Sequence, residues 1–159
     1  MTDIPIRTNA VVVYAVRHTA RGAEVLLLKR SKGDTLDEFW LHCAGRIEEG
    51  EKGWQAAVRE LREETGLETP DFYSTNYCEQ FYSAGMDAIC MLPLFVAIVP
   101  ETAEVKLNDE HSAHVWVGFD AARDMVPFNN QRECLDVVER NFVKRKPPEF
   151  SRIRAASGR

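Results

Sequence analysis

One stretch constrains this chain more than any other: Gly45 to Leu67, reading GRIEEGEKGWQAAVRELREETGL. Trp54, Ala57, Val58 and Leu61 recur at i, i+3, i+4 and i+7, which predicts an amphipathic helix turning that stripe to a core. Glu60, Glu63 and Glu64 fall within a single turn on the neighbouring face. Gly66 follows the periodic run, where a helix is expected to stop, so the helix spans about Glu51 to Thr65. Carboxylates this close repel one another, and a helix gains nothing from them alone. A divalent cation removes that penalty. Oxygen ligands with no His or Cys among them suit Mg²⁺ or Mn²⁺ rather than zinc. A solvated acidic face is the plain alternative for any Glu-rich helix. Here the apolar stripe, the glycine spacing and Glu51 all argue against it. Gly45 and Gly50 bracket the preceding loop and let the backbone approach a phosphate or metal closely.

The same residues carry a resemblance. Gly45, Glu51, Arg59-Glu60-Leu61, Glu63-Glu64 and Gly66-Leu67 match the Nudix box, G-x5-E-x7-R-E-U-x-E-E-x-G-U with U apolar, at every defined position. At average residue usage such a match arises by chance roughly once in a billion start sites. The resemblance implies a metal-dependent hydrolase that cleaves phosphoanhydride bonds in nucleotide-type substrates. Carried over residue by residue, Glu60 and Glu64 become principal metal ligands and Glu63 assists directly or through water. Arg59 orients the acidic cluster through bidentate hydrogen bonds, and Glu51 is a supporting ligand or helix-start residue. The general base varies across the family. Bacterial relatives often place an acidic residue before a Trp-bearing strand, where it reaches the metal or the attacking water. Glu110, ahead of Val115-Trp116-Val117, is that candidate here. An ordinary loop Glu is the competing reading.

The rest of the chain predicts strands around one helix. Thr8–Val16 is nearly continuous and β-branched, as in a buried strand, and Glu24–Lys29 reads as its hairpin partner. A polar loop over Ser31–Glu38 leads to a short strand at Phe39–His42 and then to the Gly45 loop. Tyr73–Tyr82 and Ala88–Val99 are two more strands, with Gly85 in their turn, and His114–Val117 is another. Asp120 is the expected N-cap of a brief helix, and Asn129 or Asn130 that of a final helix to about Phe142. Cys134, Leu135, Val138 and Phe142 form the buried stripe of the latter. This order fits an α/β class: a mixed sheet sandwiched between helices, which is also the Nudix fold.

At 159 residues the chain suffices for one domain with a real core. We expect that domain over residues 1–146, followed by a basic, flexible tail over 147–159 that begins with Pro147-Pro148. A net charge of −5 disfavours a nucleic-acid partner, whose phosphates need a basic surface. Cys43, Cys78, Cys90 and Cys134 show no C-x-x-C spacing and are expected as free, mostly buried thiols in a reducing compartment. With no signal peptide and no apolar run long enough to span a bilayer, the expected location is cytoplasmic, without membrane partners. The resemblance also admits a homodimer.

For the substrate's phosphates, Lys29 and Arg30 at the end of the second strand and Arg7 at the start of the first are candidates; Phe39, Trp40, Phe81 and Tyr82 could stack on a base. Glu38-Phe39-Trp40, Glu110-His111, Trp116 and Phe128-Asn129-Asn130-Gln131 resemble bacterial dATP and dihydroneopterin triphosphate pyrophosphohydrolases. That resemblance implies cleavage of a triphosphate to a monophosphate and pyrophosphate. Tyr82 keeps diadenosine polyphosphate hydrolases as the alternative, because they carry a Tyr in that neighbourhood, whereas ADP-ribose hydrolases carry a Pro there. The acidic charge disfavours an RNA 5′-end pyrophosphohydrolase. The complete set of box carboxylates disfavours a silent ligand-binding module.

Overall fold

The computed structural model describes residues 1–154. Eight strands form one mixed sheet: β1 (Ile6–Arg7), β2 (Ala10–Thr19), β3 (Gly22–Arg30), β4 (Trp40–Leu41), β5 (Cys43–Arg46), β6 (Phe72–Ser83), β7 (Ala88–Ile98) and β8 (His111–Val117). Among the described residues three α-helices cover it: α1 (Gly53–Thr65), α2 (Phe119–Met125) and α3 (Asn129–Val138). A single π-helical turn, Glu139–Val143, prolongs α3 as far as the expected Phe142.

Strand β2 explains the unbroken apolar run that begins the chain. It pairs in parallel with β7, and on its other edge with β3 and then β5, both antiparallel. Its residues alternate between two cores. Val11, Val13 and Ala15 face α1 and pack with Leu26, Leu28, Ala56, Ala57 and Leu61. Val12, Tyr14 and Val16 face α2 and α3 and pack with Leu27, Leu94, Cys134, Leu135 and Phe142. A strand buried on both faces has no polar side to show, so its sequence does not alternate.

The sheet opens where the chemistry-bearing residues gather. β3 pairs with β2 only over Gly22–Val25; beyond that it is joined by β4 and β8, while β5 takes its place beside Ala10–Val13. The residues expected to form a loop around Gly45 are therefore a strand, with Gly45 opposite Val11. Helix α1 starts two residues later than expected, because the Glu51 carboxylate is engaged by the Glu48 N–H at 2.9 Å and by Arg59. Gly66 ends it in the left-handed conformation (φ 72°) and donates to the Arg62 carbonyl at 2.8 Å.

Local caps differ from expectation. α2 is capped by Gly118 and α3 by Phe128. Asn129 instead accepts from Arg132 at 2.6 Å, and Asn130 donates to Glu79 at 2.8 Å. All four cysteines are free, with Cys43, Cys90 and Cys134 buried and Cys78 half-buried. None of the described helices is long and apolar enough to cross a membrane. Near the C-terminus, Arg152 bridges to Tyr73 and donates to Asp71, and the Ile153 N–H donates to the Phe72 carbonyl at 2.8 Å. The last part of the expected tail, residues 155–159, lies outside the described residues.

Candidate active site

An open cleft of about 670 Å³ lies between the end of β3, strand β5, α1 and the turn before β8. Its walls include Arg30, Lys32, Gly45, Arg46, Glu60 and Glu110. Acidic groups (Asp34, Glu60, Asp109, Glu110) and basic groups (Arg30, Lys32, Arg46) both line it. Such a mixed lining suits a metal-bound polyphosphate, since cation and anion would each find groups of opposite charge.

The Arg59 guanidinium organises the acidic side. Its Nε and Nη2 donate to the two oxygens of Glu51 at 2.8 and 3.0 Å. Nη1 donates to Glu60 at 2.8 Å and to Glu63 at 3.2 Å, and Nη2 also reaches the Arg46 carbonyl at 2.8 Å. One rigid fork thus ties the helix to the strand before it. Glu51 is held below the usual carboxylate range chiefly by its hydrogen bond from Arg59. Glu60 is pushed up by burial, an effect that Arg59 opposes. Glu63 is half exposed and leans towards Arg59.

Gly45 is required here by space, not by backbone freedom. A Cβ on this residue would stand 2.0 Å from the Glu60 carboxyl carbon. The missing side chain is the room in which the Glu60 carboxylate sits.

Glu64 is the least ordinary group. It belongs to the buried face of α1 and is 1% exposed. Its Oε2 accepts from the Cys43 thiol at 2.5 Å and from the Ala44 N–H at 3.3 Å. Burial raises the Glu64 carboxyl to about 8, Cys43 opposes this, and contact with Glu110 and repulsion from Glu110 and Glu60 add to it. Burial, followed by the charge of Glu64, keeps the Cys43 thiol protonated and so a donor. Like charges crowded in a low-dielectric pocket lack a compensating cation. A divalent ion would supply one, and the donors present fit it: Glu60, Glu64 and Glu110 would hold it, with Glu63 in reserve.

Two groups other than carboxylates stand beside this cluster. Cys43 hydrogen-bonds to Glu64, and a ring nitrogen of His111 lies within 4.8 Å of ligand oxygens of Glu64 and Glu110. Burial and the nearby Arg30 charge lower the His111 pKa, which favours the neutral ring. Glu110 sits in an exposed turn fixed from both sides: its N–H donates to Asn108 at 3.1 Å, and its carbonyl accepts from the Ser31 N–H at 3.0 Å.

The remaining candidates divide by face. Arg30 lines the cleft. Lys29, next in the strand, lies over the Trp40 ring at 5.9 Å and pairs with Glu38 at 3.6 Å; Trp40 packs against the core beneath α3. Phe39 meets Phe128 edge-on at 6.1 Å, and both rings are partly exposed. Arg7 and Tyr82 do not line the cleft; Tyr82 donates to Asp87 at 2.8 Å in the β6–β7 hairpin. Sequence reasoning missed Arg46 and Lys32 as cleft residues. It also missed a buried polar group on the α3 side. There His42 Nε2 meets both Glu79 oxygens at 3.0 and 2.9 Å, and Asn130 donates to one of them.

Residues 7–149 match the NUDIX domain. An octanoyltransferase from Myxococcus xanthus is 37% identical over 137 residues, covering 84% of this chain but 37% of that protein. The chain therefore spans little more than a third of that relative. The mouse asymmetrical bis(5′-nucleosyl)-tetraphosphatase is 28% identical, with 70% of this chain and 76% of the relative covered. The nucleoside triphosphatase NudI of Escherichia coli is 33% identical, with 67% and 75% covered. Among solved structures, a C. elegans Ap4A hydrolase binary complex superposes with a TM-score of 0.72 at 21% identity over 84% of this chain and 96% of that one. The E. coli dihydroneopterin triphosphate pyrophosphohydrolase does so with 0.69 at 22% identity over 89% and 99%. At these identities the two structures establish the fold. With the box complete and the family match running through nearly the whole chain, the protein belongs to the NUDIX domain family.

Proposed function

We propose that this chain hydrolyses a phosphoanhydride bond of a nucleoside, deoxynucleoside or pterin triphosphate, giving a monophosphate and pyrophosphate. The observation that carries this reading is the cluster of Glu64, Glu110 and His111, with Glu60 and Glu110 lining an open cleft whose walls also bear Arg30, Lys32 and Arg46. A bound Mg²⁺ or Mn²⁺ would neutralise phosphate charge and acidify a coordinated water. Glu60 and Glu64 would hold that ion, and Glu110 would support it and take the proton of the attacking water. Glu110 is the general base of this account, because it is the exposed carboxylate of the three. Arg59 is a positioning residue that fixes Glu60 and Glu51. Arg30 and Arg46 bind the outer phosphates. Phe39, whose ring is partly exposed outside the cleft wall, is the candidate to stack on a base, with Trp40 and Lys29 behind it.

The similarity to a triphosphatase at 33% identity supports a triphosphate. The similarity to a bis(5′-nucleosyl)-tetraphosphatase supports a second reading, cleavage of a two-ended dinucleoside polyphosphate. Product analysis with Mg²⁺ separates them. The panel comprises nucleoside and deoxynucleoside triphosphates, dihydroneopterin triphosphate, diadenosine polyphosphates and ADP-ribose. Pyrophosphate released from one triphosphate, with none in EDTA, is the expected result. Turnover restricted to two-ended nucleotides would establish the second reading in its place.

A further inference from the structure

We propose that Glu64, Glu110 and His111 form a mixed carboxylate–imidazole cation site that prefers Mn²⁺ to Mg²⁺. The inference rests on the reading that this cluster holds a divalent ion, and goes beyond it in naming a nitrogen ligand and the metal that ligand selects.

The first observation is a change of register. Along β8, Val115 and Val117 pack on the α3 side and Trp116 on the α1 side. Strict alternation down the strand would turn His111 to the α3 side, away from the carboxylates. The pairing with β3 shifts instead: Lys29 faces Ala113, but Arg30 faces His111, so Ser112 is an extra residue. Leu26 and Leu28 pack on the α1 side, which sets Arg30, and His111 opposite it, on that face too. A bulge re-aims a side chain in this way. The second observation is the ring itself. His111 is 5% exposed, and its buried Nδ1 has no hydrogen-bond partner among the described residues. Buried polar atoms are rarely left so. The third is convergence, since one donor from each of the three residues lies within 4.8 Å of the others. Ligands at roughly 2.1 Å from one ion stand about 3–4 Å apart, so a small closure brings all three onto it.

The ligand type decides the metal. Mg²⁺ keeps its waters and takes carboxylate oxygens, with little use for nitrogen. A neutral imidazole shifts preference towards first-row transition ions, of which Mn²⁺ also accepts the carboxylates. Cys43 holds Glu64 from behind by donating to its Oε2, as a group supporting a ligand rather than as a ligand.

Mn²⁺ electron spin resonance tests this on the full chain without turnover. Titration gives the affinity, Mg²⁺ competition gives the preference, and electron spin echo modulation reports a directly bonded nitrogen. The expected result is Mn²⁺ bound at least about tenfold more tightly than Mg²⁺. A ¹⁴N modulation should accompany it, changing to the ¹⁵N pattern when the histidines are ¹⁵N-labelled and vanishing in His111→Gln. The labelling needs no variant, so a misfolded His111→Gln leaves the test intact. Bound Mn²⁺ without nitrogen modulation, or with modulation that survives in a folded His111→Gln, would overturn the inference while leaving the carboxylate site standing. No bound Mn²⁺ would overturn both.

Discussion

Glu64→Gln is expected to lower turnover by about three orders of magnitude, several kcal/mol of transition-state stabilisation at about 1.4 kcal/mol per tenfold. The change removes a metal ligand's charge but almost no volume, so packing around Leu61 and Cys43 persists. The same substitution should alter how stability depends on pH. In the metal-free protein the Glu64 carboxyl rises from its ordinary 4.5 to about 8, mainly through burial. A raised folded-state value means that folding favours the protonated form. That stabilisation is complete below about 4.5 and is lost as pH rises through about 8. Gln stays neutral throughout. The metal-free variant should therefore match the wild type near pH 5 and exceed it in Tm above pH 8. Added Mg²⁺ should raise the Tm of the wild type more than that of the variant. Parallel kinetics and thermal melts check both halves. A turnover near that of the wild type would refute Glu64 as a ligand.

Gly45→Ala should cost about a hundredfold in turnover, from a single added methyl. The added Cβ would meet Glu60 Cδ at 2.0 Å and Oε1 at 2.2 Å, far inside contact distance. Backbone pairing of Gly45 with Val11 holds that methyl in place, so the Glu60 carboxylate must move. It then leaves both its place in the cluster and its hydrogen bond from Arg59 Nη1. Overpacking of this size also costs about 1–3 kcal/mol of stability. Steady-state rates and a melt together distinguish displacement from unfolding. The expected outcome is a folded protein with weakened metal binding. Activity within a few-fold of wild type would show that Glu60 is free to shift without consequence.

The fold was legible wherever period and punctuation agreed. The run at Thr8–Val16, the stripe of α1 and the stop at Gly66 all mark elements that are present. Boundaries failed where a side chain outside the local pattern intervened. Glu51 was expected inside the helix, but its carboxylate is spent on Arg59 and the Glu48 N–H. Asn130 looked like a cap, but it serves the buried Glu79. In the site, the spacing of the box showed which carboxylates share a helix. It could not show that Glu64 is buried and Glu63 half exposed, because that depends on how α1 rests on β2 and β5. Arg46 and Lys32 face the cleft only because β3 and β2 part company. His111 was the hardest to foresee. Its place depends on one extra residue in β8, and strand alternation assigns it to the wrong face.

On this reading Glu64 and Glu110, with Glu60 beside them, hold a divalent cation at the phosphate cleft. The most direct measurement is anomalous diffraction at the manganese edge from crystals soaked in Mn²⁺. A single dominant peak within bonding distance, about 2.1–2.3 Å, of oxygens of Glu64 and Glu110 is the expected result. A dominant peak elsewhere, or none at saturating Mn²⁺, would contradict it.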